Sequence, residues 1–200
     1  MPKYDVYFED VGHPGTQLIP NSILELFPVC CITAREILYA DPTNVPKLER
    51  IALIFRDMDG VAHTTGSSTK KEIRFSLNYV KACRGNESEI KGVLVHEAVH
   101  CWQNNGLGTA PGGLVEGIAD FVRLRAGLQP PHWNRNGPKT RWDEGYEKTA
   151  FFLDWVDIAV RRGIVERLNV VLQTKRYNSG IFIELTGHSI EHLWQNYVSV

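Results

Sequence analysis

The chain has 200 residues, a formal net charge of −1 and 22% charged residues, which is the composition of a globular chain able to bury a sizeable core. That balance excludes the basic field expected of a nucleic-acid or anionic-membrane binder, and no apolar run approaches the roughly 20 residues of a membrane span. Met1-Pro2-Lys3-Tyr4-Asp5-Val6 lacks the basic region and apolar stretch of a signal peptide, so the expectation is a cytosolic chain or a mature form whose leader was removed.

In chain order, residues 3–9 alternate through Tyr4, Val6 and Phe8 and predict a strand. Asn21 or Ser22 can cap a helix running to about Tyr39, ended by Asp41-Pro42. Ile51-Ala52-Leu53-Ile54-Phe55 reads as a buried strand. A turn at Asp57-Met58-Asp59-Gly60 makes Val61–Thr65 a candidate for the returning strand of a hairpin. Residues 72–80 alternate through Ile73, Phe75, Leu77 and Tyr79, predicting another strand. From there the pattern is helical. Asn86-x-x-Glu89 is a capping box for a helix to about Asn104. Further helices are expected over 114–126, 143–161, 163–174 and 189–198. Strands followed by helices predict an α+β fold. The four cysteines match no metal-site spacing and read as small buried thiols.

The helix from Asn86 carries His96-Glu97-Ala98-Val99-His100. Residues i and i+4 of a helix share a face, so both imidazoles can reach one zinc ion. Glu97 lies one step round, where a carboxylate can act as general base on a zinc-bound water that attacks the peptide. A catalytic zinc needs a third protein ligand. A metzincin third histidine would fall on Gly106, which excludes that pattern. The next helix offers Glu116-Gly117-Ile118-Ala119-Asp120, which resembles the thermolysin-like ExxxD arrangement. That resemblance implies Glu116 as the metal ligand and Asp120 as the group orienting a histidine ligand; an aspzincin-like role for Asp120 as ligand is the competing assignment.

A closer resemblance rests on His96-Glu97-Ala98-Val99-His100-Cys101-Trp102-Gln103 with Ala110-Pro111-Gly112-Gly113-Leu114-Val115-Glu116-Gly117-Ile118-Ala119-Asp120-Phe121-Val122-Arg123-Leu124, and on Arg141-Trp142-Asp143-Glu144-Gly145-Tyr146. These stretches are similar to the plant basic secretory protein family, zinc peptidases of plants, fungi and bacteria. The resemblance implies one zincin-like domain over 1–200: an N-terminal lobe with a mixed sheet, a mainly helical C-terminal lobe, and the active-site helix at a cleft between them. The chain departs from the family's name in its near-neutral charge, and its N-terminus carries the expectation of no leader in the chain as read.

Around that centre, Tyr146 is a candidate oxyanion donor, with packing of its helix as the alternative. Arg141 and Asp143 line the same wall or form a surface pair. Trp102 and Gln103 are expected to pack against the following helix. Val61–Thr65 and Ile73–Val80 are the candidate strands for pairing with an extended substrate. His63 reads as a solvent-facing strand residue, and His188 and His192 as a helix surface. The function expected is zinc-dependent hydrolysis of a peptide or protein substrate, without nucleic-acid or membrane partners. The alternatives are a zinc-binding protein that keeps the fold without turnover, and a hydrolase of another amide or ester.

Overall fold

A run of apolar residues such as Ile51–Phe55 calls for an interior position in a sheet rather than an edge. The computed structural model, which describes residues 1–200, supplies it. Strands β1 (Lys3–Phe8), β2 (Arg50–Arg56), β3 (Ala62–Gly66) and β4 (Lys70–Ser76) form one sheet in the order β1-β2-β4-β3. β1 and β4 flank β2 in parallel, and β3 runs antiparallel to β4 at the edge. The hairpin partner of β3 is therefore β4 and not β2. The reason is polarity: Ile51, Leu53 and Phe55 are fully buried, whereas Ala62-His63-Thr64-Thr65-Gly66 is half-exposed and suits an edge.

The expected strand over 72–80 is also corrected. β4 stops at Ser76, and Leu77–Ala82 forms helix α2. Ser76 Oγ accepts the Tyr79 backbone N–H at 3.2 Å and donates to the Met58 carbonyl at 2.7 Å. A serine cap thus converts an alternating pattern into a helical turn that buries Leu77 and Val80.

The remaining helices are α1 (Ile23–Leu38), α3 (Glu87–Trp102), α4 (Gly112–Arg125), α5 (Tyr146–Ala159), α6 (Ile164–Val171), α7 (Gly180–Thr186) and α8 (Ile190–Val198). The short α7 carries no sequence expectation. Helix α5 begins three residues later than its apolar pattern suggests. Gly145 at φ 102° breaks the approach, and its N–H donates to Thr149 Oγ1 at 2.9 Å. At the start of α3, Asn86 Oδ1 accepts the Glu89 N–H at 3.1 Å. The reciprocal half of the capping box is missing, because the Glu89 carboxylate is taken by Tyr79 and Arg123 instead.

Helix α3 is buried from Ile90 to Trp102 over most of its circumference, which marks a central helix rather than an amphipathic surface one. It packs against α1, α4 and β3. Helix α4 lies in turn against α5. A Cβ on Gly117 of α4 would collide with Cβ and Cγ2 of Thr149 on α5. Thr149 cannot swing away freely, because its hydroxyl donates to the Trp142 carbonyl at 2.8 Å while accepting from Gly145. We expect Gly117→Ala to destabilise the fold by about 1–3 kcal/mol through overpacking, read as a lower urea midpoint. Unchanged stability would show that the α4–α5 contact is loose.

Candidate metal centre

The i, i+4 spacing on α3 brings the rings of His96 and His100 to a centroid separation of 5.0 Å, nearly perpendicular at 80°. Their Nε2 atoms stand 3.3 Å apart. Glu116 in the second turn of α4 puts Oε2 at 3.1 Å from the first and 3.7 Å from the second. These three residues could hold a metal ion, with donor atoms all within 4.8 Å of one another. Asp120, one turn further along α4, does not join that trio. Its Oδ1 meets His96 Nδ1 at 2.6 Å.

The far nitrogen of each ring is therefore engaged inside the protein. For His96 the partner is the buried Asp120 carboxylate. For His100 it is Gln103 Oε1, 3.0 Å from Nδ1. Gln103 Nε2 donates to the Val115 carbonyl at 2.9 Å, which commits its oxygen to accepting and makes His100 Nδ1 the donor. A neutral His100 then presents its Nε2 lone pair to the centre. Gln103 contacts the following helix as expected, but sequence reasoning missed its bond to His100. Gln103 is the residue just past the end of α3, in extended conformation, a turn away from the helical path that the sequence pattern does not reveal.

Electrostatics reflect the crowding of these groups. Burial alone would depress the His96 pKa, but the Asp120 and Glu116 carboxylates overcome it and raise the value to about 9. Burial would raise the Glu116 pKa, but the two imidazoles outweigh it and hold the carboxyl far below its usual range. The cluster thus favours a bound cation, whether protons or a metal ion.

Glu97 is 6% exposed and is held from the sheet. Thr64 Oγ1 on β3 lies 2.8 Å from Glu97 Oε2 and 2.9 Å from the Glu97 carbonyl. Tyr146, the first residue of α5, lies nearly parallel to the His96 ring, 11° off and 6.2 Å between centroids. It is 59% exposed and adopts φ 46°, an uncommon left-handed conformation for a bulky residue and a form of strain found at functional sites. The Glu116 charge, then burial, raises its phenol pKa.

All these groups line a single cleft of about 830 Å³, together with Val61 and the β3 residues Ala62 and His63. β4 lies between β2 and β3, so it has no free edge for a peptide, and only Val61–Thr65 of the two candidate strands offers one here. His132, given no role from sequence, lines the cleft as well. Arg141 and Asp143 form a bidentate pair at 3.1 and 2.9 Å away from the cleft lining. His188 and His192 stack on each other with centroids 5.1 Å apart and gather no third donor. All four cysteines are free.

The family model BSP, described as a peptidase of plants and bacteria, matches residues 32–197. This is the basic secretory protein family that the sequence resembles. Neither the curated proteins nor the solved structures contain a match to the chain.

The raised His96 pKa makes the stability of the metal-free protein depend on pH. Below the ordinary value of 6.5 the protonated ring contributes its full stabilisation, which is lost as pH rises through about 9. The contribution is about 3 kcal/mol at roughly 1.4 kcal/mol per pKa unit. We expect chelator-treated protein to show a falling denaturation midpoint from pH 6.5 to 9, with most of that slope removed by Asp120→Asn. A flat profile in the parent chain would mean that His96 is not charged in the folded state.

Proposed function

We propose that this chain, which belongs to the family of peptidases of plants and bacteria, is a zinc-dependent peptidase: one zincin-like domain whose cleft accepts a peptide or protein substrate. The observation that carries this reading is the convergence of His96 Nε2, His100 Nε2 and Glu116 Oε2, with Glu97 beside them in the same cleft. Donors bound to zinc at roughly 2.0–2.1 Å in a tetrahedron stand roughly 3.3 Å apart. The three separations of 3.1, 3.3 and 3.7 Å bracket that spacing. Two imidazoles and one carboxylate are also the donor set of a catalytic zinc site with one position left open.

Zinc held there would supply Lewis acidity toward a water and the scissile carbonyl. The chain supplies the rest. Glu97 takes a proton from the attacking water and returns it to the leaving amine. The Thr64 hydroxyl donates to Glu97 Oε2, leaving Oε1 as the free basic oxygen. Tyr146 offers a phenol proton to the oxyanion of the tetrahedral intermediate. Asp120 and Gln103 orient the two imidazoles from behind. The β3 edge provides unpaired backbone groups along which an extended substrate adds as a strand.

Glu97→Gln should abolish peptide cleavage while zinc content stays near one per chain, since the amide keeps the shape but cannot accept the proton. Elemental analysis alongside an unbiased peptide-cleavage screen makes the comparison. A mutant as active as the parent would remove Glu97 from the base role.

Zinc affinity separates ligands from their supports. In a buffered chelator, Glu116→Ala should lose most of its affinity, whereas Asp120→Ala and Gln103→Ala should each weaken it by on the order of 10–100-fold. Retention of zinc by Glu116→Ala with its loss from Asp120→Ala would reassign the third ligand to Asp120.

A further inference from the structure

Beyond His96 the cleft continues along α3 toward its N-terminus, past Val93 to Glu89. Arg123 of α4 lines this part of the cleft with a side chain only 8% exposed. Its seat is built for it. Gly92, one turn before His96, leaves the space: a Cβ there would stand 2.5 Å from Arg123 Nε and 2.7 Å from Nη2. Nε donates to the Leu128 carbonyl at 2.9 Å, Nη2 donates to Glu89 Oε2 at 2.9 Å, and the guanidinium sits 5.5 Å from the Trp133 ring centroid.

The remaining hydrogen-bonding capacity is one-sided. Glu89 is engaged at both oxygens, by Arg123 and by the Tyr79 hydroxyl at 2.7 Å. Arg123 Nη1 has no acceptor in the protein, and it is not among the buried atoms lacking a partner. Nη1 thus keeps some contact with solvent, and the space this side chain lines is the cleft. A guanidinium so clamped offers its two remaining Nη1 donors with its rotamer entropy already lost. Hydrogen bonds from such a group to a carboxylate are charge-assisted and about twice as strong as neutral ones. Gly92 and His96 are about 6 Å apart along the helix axis, or about two residues of an extended peptide.

We propose that Arg123 floors a specificity subsite that binds a carboxylate of the substrate, placed within about two residues of the bond that meets Glu97. This rests on the peptidase reading for the meaning of the cleft, but it concerns binding and is tested by binding. The carboxylate belongs either to an Asp or Glu side chain or to the substrate's C-terminus. The two sources share their chemistry and differ in whether amidation of the chain end removes it.

The test uses the zinc-loaded Glu97→Gln protein, so that peptides bind without being consumed. Peptides identical except for Glu, Gln, Leu or Lys at one scanned position, each with a free or amidated C-terminus, are titrated by calorimetry. At one position, or at the free terminus, the carboxylate should bind about tenfold or more tightly than the neutral and cationic versions. Adding Arg123→Met should bring that ratio close to one, and Arg123→Lys should restore only part of it, since an ammonium lacks the planar fork. Because Arg123 also ties α3 to α4, the preference is measured first without any change at 123, so poor folding of a variant leaves the result intact. Absence of carboxylate preference, absence of peptide binding, or a preference that survives Arg123→Met overturns the subsite. Peptides bound with the preference but never cleaved by the parent protein would retain the subsite and remove the peptidase reading instead.

Discussion

The closeness with which α4 approaches α3 is the constraint on which the rest of the cleft depends. A carboxylate at 3% exposure, as on Asp120, is costly unless it is charge-paired and hydrogen-bonded. The 2.6 Å contact with His96 Nδ1 meets that need and aims the other face of the ring outward. Glu116, one turn earlier on α4, then lands in front of the same ring, where its longer side chain reaches Nε2. A helix shifted outward by one side-chain layer would lose both contacts together. The small residues make the approach possible: Gly92 on α3 accommodates Arg123, and Gly117 on α4 admits Thr149 of α5.

Helix α4 is held from its other side by a second set of charges. Arg125 pairs with Asp154 at 3.0 Å and Asp157 at 2.7 Å, both on α5. Asp157 accepts the Gly163 N–H at 2.8 Å, and Arg135 adds a further pair to Asp154. These pairs are partly buried, and breaking one partner would leave an uncompensated charge. Their value lies less in net stability than in fixing the register of α4 between α3 and α5. The donors of the centre thus sit on elements braced from both sides, as a preorganised site requires.

On the sheet side of the cleft, one residue bonds to Glu97. Thr64 carries a hydroxyl on the edge strand and touches both the side chain and the carbonyl of Glu97. Any change in how β3 packs on α3 is therefore felt at the carboxylate. Tyr146 enters from a third direction, on a strained turn opened by Gly145. The sheet and the start of α5 thus add to the groups carried by α3 and α4, and neither lies close to those helices' groups in sequence.

What the sequence by itself determined is local. The i, i+4 histidines, the adjacent Glu97 and the Glu116/Asp120 pair are readable because one helical turn puts such residues on one face whatever surrounds them. The α+β order and most helix spans were readable for the same reason, being patterns of period two and 3.6. The tertiary structure decided whatever depends on neighbours distant in the chain. β3 pairs with β4 because the apolar β2 takes the interior of the sheet and leaves the half-exposed β3 its edge, and the alternation through Leu77 and Tyr79 becomes a helix because Ser76 caps it. Which histidine receives Asp120, the capture of His100 by Gln103, the tether from Thr64 and the seat of Arg123 all follow from the packing of α3 against α4 and β3. Side-chain partners across a packed interface are set by separation and angle between elements, and a single chain's periodicity carries neither quantity.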